Sequence, residues 1–462
     1  MKTLKRSVSL VLVILLILFV AAGCSTKKAS TDDVKPGDPV EKIISGKISW
    51  LMRSTPFENK WEQEVVIPKF KKLYPGVDIN LIITPAEQVD PKLLTMVAAG
   101  SPPDVFSMWG TSGFMDYYNK DLLLDLTPYI RTDIKKEDYV DGIFDIYAVD
   151  GNKYFSFPQI TNFSLMIAYN KTLFKEAGLP NLPTKWGDPS WTWDTMRDYA
   201  KKLTKNYGKG ANAQYGISID TTAPHQLIYQ FGADNFLPET YKTGVADKSN
   251  FDDPAVINSL QKIADLIYVD KVSPTPAENK SLSQMGPIFK TGKVAMTTTL
   301  PTQAYGNFKD VPFEWGLAPL PSAGANRGIL FNGAWFIAKQ SKSPDAAWAL
   351  LKYLNTPENA KDMMDVTGFL IPLKEAVDPW VKLMSEETKM TEAEIKEAVM
   401  GYPSNSVENI NHLFCGYSEI STVFQQGLDA LWLGKSDAKT AVGSFKGQLD
   451  ETMARIKKGV KK

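Results

Sequence analysis

The residues of this chain whose types could do chemistry are aromatic rings, amides and hydroxyls standing where strands begin and end. Trp109 follows the β-rich run Asp104–Met108 and precedes Gly110 and Thr111, which puts an indole at a strand's carboxyl end. Thr299 closes the run KVAMTTTL in the same kind of position. The stretch FNGAWFIAK (Phe331–Lys339) sets Asn332, Gly333 and Trp335 just where a strand starts. Such groups hold a solute rather than cleave it: rings pack on C–H-rich faces, and amides and hydroxyls pair polar groups that would cost about 1–3 kcal/mol each if buried alone. Bond-making chemistry has no comparable signature. The chain carries no GxSxG, no GxxxxGK[ST] and no HExxH, and none of its carboxylates stands in a recognisable catalytic motif. Glycoside hydrolysis would need two carboxylates about 5–10 Å apart. The segment DNFLPE (Asp234–Glu239) lacks the oxygen spacing of a calcium loop.

Composition narrows the classes further. Lysine plus arginine equals aspartate plus glutamate at 52 each, so the basic signature of a nucleic-acid binder is missing. Two histidines, His225 and His412, argue against a multi-histidine zinc or haem site. The cysteines are Cys24 and Cys415. Lys2, Lys5 and Arg6 precede an uncharged apolar run, Leu10–Val20, too short for a spanning helix of roughly 20 residues and suited to a signal peptide over 1–23. It ends in AAGCS, which resembles a bacterial lipobox with Cys24 as the lipidated first mature residue, although Ala21 replaces the leucine usual three positions before. With Cys24 modified, no intrachain disulfide remains possible. Residues 24–44 are polar and Pro/Gly-bearing and read as a lipid-anchored flexible tether.

The elements that must position the candidate residues alternate at first. Lys47–Met52 reads as a strand, 59–73 as a helix stopped by Tyr74-Pro75-Gly76, Val77–Thr84 as a strand, and Asp90-Pro91 as the cap and first turn of a helix ending at Gly100. Asp104–Met108 is the next strand. Strand, helix, strand, helix, strand argues a parallel α/β sheet. Later helices are expected over Trp193–Thr204, Ser343–Leu354 with Ser343 as its cap, Met384–Val399, Ser418–Leu433 and Ala438–Lys458.

In order, the segments KLLTMVAAGSPPDVFSMW (92–109), DLLLDLTPYI (121–130), GNKYFSFPQ (151–159), MIAYNKTLFKEAGL (166–179), WTWDTMRDYAKKLT (191–204), FKTGKVAMTTT (289–299), NGAWFIAKQSKSPDAAWALLKYL (332–354) and TGFLIPLKEAV (367–377) resemble the extracellular solute-binding proteins of family 1, the sugar-binding lipoproteins of ABC transporters. The resemblance runs from about Lys47 to near the C-terminus. It implies a type II periplasmic-binding-protein-like α/β fold: two lobes, each a mixed or parallel sheet flanked by helices, with a cleft at the hinge. Carried onto this chain, lobe one takes 45–156 and 313–368 and lobe two 157–312 and 369–462. Ligands of open α/β sheets sit beyond the carboxyl ends of the strands.

The resemblance also implies a ligand, a mono- or oligosaccharide, and an assignment of contacts. Arg53, Thr55 and Glu58 leave the first strand where the family supplies polar groups. Gln159 lies where the chain first crosses between lobes. Tyr229 and Asp234 belong to a loop the family turns toward its cleft, and Phe369 precedes the proline of TGFLIP. Trp109, Thr299, Asn332 and Trp335 complete the set, with Trp335 as a stacking platform and Gly333 letting the ligand approach the backbone. Asn411 and His412 form a late polar patch, in which a lone histidine near Phe414 reads as packed or surface-exposed. The implied function is the extracellular, monomeric subunit of an ABC importer that closes on a sugar and hands it to the permease. It would need no cofactor and sit on the outer face of a Gram-positive type membrane through its lipid anchor. A carbohydrate-active lipoprotein enzyme and a binding lipoprotein for a polyamine, phosphate ester or peptide are the alternatives.

Overall fold

The computed structural model describes residues 44–108, 112–221, 223, 225–284 and 286–460. The expectations for the signal peptide, Cys24, the tether and Trp109 lie outside these residues. Residues 44–460 form one compact unit of mixed α/β structure.

Strands β1 (Gly46–Arg53), β2 (Val77–Thr84) and β3 (Val105–Ser107) are parallel neighbours, as their separation by helical segments requires. A small hairpin, β4 (Ala148–Val149) and β5 (Lys153–Tyr154), stands apart. Strand β6 (Phe157–Ser164) leads directly into β7 (Met166–Asn170), and these two belong to different sheets. Strands β8 (Met296–Thr299) and β9 (Trp315–Ala318) flank β7 antiparallel in a three-stranded sheet. The long strand β10 (Ile329–Ile337) returns to the first sheet, with β6 along one edge and β3 and β11 (Val407–Glu408) along the other. The chain therefore passes between sheets at Ser164–Met166 and again between Ala318 and Ile329. Phe163, beside the first passage, holds a left-handed φ of 55° although it is bulky and buried. That conformation costs on the order of 1–3 kcal/mol and is held by its surroundings, here the ring of Trp380.

Both faces of the larger sheet are covered. Trp50, Ile48, Met52, Trp335 and Ile337 pack with the helix Pro344–Leu354 on one face, while Leu51, Phe106, Ala334 and Phe336 pack on the other. Trp50 meets Trp61 and Trp335 edge-on, with centroids 6.3 and 5.7 Å away.

Three local expectations change. The helix expected to be capped by Asp90 begins at Val89, and Asp90 instead accepts hydrogen bonds from Tyr117 Oη (2.7 Å) and the Ser112 amide (2.8 Å). Ser343 precedes its helix without a side-chain cap. The charged helix expected over 384–399 is broken: Lys374–Thr388 ends at Lys389 in the left-handed conformation, and Thr391 caps a new start with Glu394 in a reciprocal capping box. Among the described residues no helix is long and apolar enough to cross a membrane.

Candidate ligand cleft

The site is built from the polar ends of both sheets. Strand β1 runs out at Arg53, and Thr55 turns the chain into the helix Pro56–Lys60 by accepting from the Glu58 amide. Glu58 then gathers the loop. Its carboxylate takes Arg53 Nε at 2.7 Å and Nη2 at 2.8 Å, and accepts from the Thr55 hydroxyl at 2.6 Å. The Glu58 side chain is only 4% exposed, so this bidentate pair is a fixed element rather than a loose surface contact.

Across from it, strand β8 ends in Thr298 and Thr299, and Pro301 opens the helix Pro301–Phe308. Gln303 and Asn307 are four residues apart and share one helix face. That face looks onto three adjoining cavities. The first, of about 310 Å³, is lined by Arg53, Thr55, Phe57, Glu58, Gln303, Asn307 and Phe369 among others. The second, of about 330 Å³, meets Ser218, Asp220, Asn279, Thr297–Thr299, Gln303 and Asn307. The third, also about 330 Å³, meets Arg53, Asn162, Asp220, Gln226, Thr299, Gln303, Phe331, Asn411 and His412. Gln303 borders all three, and together their walls carry amides, hydroxyls, a few phenyl rings, the Arg53–Glu58 pair, Asp220 and His412. Phe57, 43% exposed, stands at its rim. Asn162 connects the cleft to the passage between sheets, and its side-chain oxygen accepts from the Thr302 hydroxyl.

Behind the Arg53–Glu58 loop lies a buried acid. Glu62 accepts from Asn59 Nδ2 at 2.9 Å, and its other oxygen has no partner among the described residues. Burial pushes its pKa up to about 8, so it is protonated at neutral pH. The same Asn59 amide also donates to the Arg53 carbonyl, tying the acid to the cleft loop.

Of the residues expected from the sequence, the structure gathers Arg53, Thr55, Glu58, Thr299 and Phe369 at the cleft. It sends five elsewhere. Trp335 is 1% exposed, wedged against Trp50 in the core, so neither ring face is free to stack. Gly333 is bare for an internal reason: a Cβ there would meet Gln159 Oε1 at 2.7 Å. Gln159 is thus buried over β10, accepting from Ser107 Oγ at 2.6 Å. Asn332 donates its side-chain amide to Glu408 at 2.8 Å. Tyr229 is buried with its hydroxyl 2.6 Å from that of Tyr241 and the Arg327 guanidinium over its ring. Asp234 is occupied by Arg327 at 2.9 Å, Tyr241 at 2.6 Å and the Phe236 amide. None of these five lines the three cavities.

Sequence reasoning missed Gln303, Asn307, Asn162, Asp220 and Asn279. The Gln303/Asn307 pair had a readable signal, two amides at i and i+4 on a proline-started helix directly after a strand's carboxyl end. Among the described residues no group of three or more His, Cys, Asp or Glu side chains could hold a metal.

Comparison with known proteins fits this architecture. Residues 57–361 match the family described as bacterial extracellular solute-binding protein. The chain is 24% identical over 407 residues to the arabinooligosaccharide-binding protein of Bacillus subtilis (strain 168), covering 84% of each. It is 24% identical to the sn-glycerol-3-phosphate-binding periplasmic protein UgpB of Escherichia coli (strain K12), over 64% of this chain and 66% of that one. The structure of the ABC substrate-binding protein Lmo0181 from Listeria monocytogenes in complex with cycloalternan superposes with a TM-score of 0.73 at 22% identity, covering 88% of this chain and 99% of that one. The shared fold is that of the type II periplasmic binding proteins.

Proposed function

The chain belongs to the bacterial extracellular solute-binding proteins, and from that premise we propose that it captures an uncharged oligosaccharide in this cleft and delivers it to an ABC permease. One observation carries the choice of ligand. The cleft offers neutral amides and hydroxyls from both sheets, while the cation at its wall, Arg53, is already engaged bidentately by Glu58. A phosphate ester would need a cation free to meet its charge, and Asp220 adds a carboxylate to the wall instead; a sugar needs a rim of paired donors and acceptors. The likeness to an arabinooligosaccharide-binding protein supports this reading, and the likeness to a glycerol-phosphate-binding protein marks its competitor.

Arg53, Thr55, Glu58, Thr299 and Phe369 are the expected residues we retain as ligand-facing, joined by Gln303, Asn307, Asn162 and Asp220. Phe57, Phe331 and Phe369 take the ring-packing role first given to tryptophan. The strand pairings support lobes centred on the six-stranded and three-stranded sheets, with passages near 164–166 and 318–329. Closure of the lobes would be driven by contacts made only in the closed state. Cys24 would be the lipidated residue that holds the protein on the outer face of a Gram-positive type membrane, and Cys24→Ser should release it from a membrane fraction.

A thermal-shift panel tests the ligand class, because a solute that binds only the folded chain raises its Tm. Neutral oligosaccharides should raise it. A rise with amines, peptides or phosphate esters and none with any sugar would overturn the reading, as would release of smaller products from an incubated oligosaccharide.

A further inference from the structure

His412 stands at the third cavity on a support that the rest of the cleft does not share. Its Nδ1 lies 2.9 Å from Glu408 Oε1. Glu408, with a side chain 7% exposed, otherwise accepts from the Asn332 backbone amide at 2.9 Å and from Asn332 Nδ2 at 2.8 Å. The Tyr147 hydroxyl, 3.4 Å from Glu408 Oε1, gives its one proton to the Asn332 carbonyl at 2.6 Å. A carboxylate that receives only donors is an acceptor toward the ring as well, so in the neutral imidazole the proton belongs on Nδ1 and the lone pair on Nε2. The Phe331 ring stands edge to face against the imidazole, with centroids 6.0 Å apart, and limits how it can turn.

We propose that His412 is a ligand-contacting, specificity-determining residue whose Nε2 accepts a hydroxyl proton from the bound solute, with Glu408 as the positioning residue that fixes the ring and its tautomer. The arrangement rests on the carbohydrate reading above, and it makes that reading more selective. A bare imidazole nitrogen in the third cavity rewards a solute that presents a hydroxyl there. It penalises a deoxy or O-methylated position, which leaves the lone pair unpaired on closure. This also gives a physical reason for the Asn332 side chain to be buried: it completes the Glu408 support instead of touching the ligand.

Two histidines make the test direct. Nitrogen-15 spectra of the histidine rings in the full chain, with His225→Gln to assign the two, report the tautomer without any ligand. A pH series run alongside identifies the neutral ring, the form in which the tautomer is read. The expected result is a protonated Nδ1 and a bare Nε2 on His412; a ring protonated on Nε2 overturns the proposal. Calorimetric titration with maltotriose and arabinotriose then reads the contact. His412→Gln places an amide where Nε2 was and should stay within about threefold of the wild type. His412→Asn keeps only the Nδ1-like bond to Glu408 and should bind roughly tenfold more weakly. Equal affinities for both variants and the wild type would overturn the contact. If neither trisaccharide binds the wild type, the carbohydrate reading fails at that point, while the ring spectrum still decides the arrangement of His412 and Glu408.

Discussion

Trp335 shows what one residue's surroundings can do to its apparent purpose. Its neighbours in sequence, Asn332 and Gly333, look like a binding turn, yet each is explained by an internal partner: Glu408 for the amide and Gln159 for the missing Cβ. Nothing local reveals this, because the partners lie 76 and about 174 positions away. Trp335→Ala should therefore cost stability, about 3–5 kcal/mol for an indole removed from a packed core. Sugar affinity of the folded fraction should stay within a few-fold, as read by denaturant titration beside calorimetry. Glu62 gives a second prediction at this scale. Its folded pKa of about 8 lies above the ordinary carboxyl value of 4.5, so the folded state holds a proton that the unfolded state has lost between those pH values. The protein should accordingly lose stability as pH rises from about 4.5 to 8. Glu62→Gln keeps the neutral amide-like shape and should flatten that loss, making the variant more stable than the wild type at pH 8. A parallel decline in both would show that Glu62 does not titrate in this window.

At the scale of elements the sequence is far more legible. The strands Gly46–Arg53 and Val77–Thr84 and the helix Trp193–Leu203 fall where alternation, helical spacing and turn residues put them. Thr299 stood out by its place at a strand's carboxyl end, a position that local pattern can identify, whereas Arg53 was singled out through the family resemblance. Two kinds of feature escaped. One is the left-handed Lys389, which splits a helix whose charge pattern is unbroken. The other is the helix Pro301–Phe308, whose face toward the cleft depends on packing across the passage between sheets. That helix carries the sharpest prediction at this scale. Gln303→Ala removes a side chain that borders all three cavities and should weaken sugar binding roughly five- to tenfold, the loss of about one to two hydrogen bonds, with little change in Tm. Unchanged affinity would move the ligand away from this helix face.

For the whole molecule, the sequence supplied the two-lobe class through the order of eight segments, and it misplaced much of the site. The difference has a physical origin. A fold of this kind is specified by many redundant local patterns, while a cleft is specified by which few side chains from distant segments happen to meet. The same architecture serves solutes as unlike as an arabinooligosaccharide and a glycerol phosphate among its relatives. The proposed choice between them rests on charge at one wall: Glu58 engages Arg53, and amides and hydroxyls dominate the rest of the third cavity. Isothermal titration calorimetry of the wild-type chain against maltotriose, arabinotriose and sn-glycerol 3-phosphate tests that claim most directly. Saturable one-site binding of a neutral trisaccharide, with no heat from the phosphate ester, is the expected result. Binding of the phosphate ester with none of either sugar would contradict it.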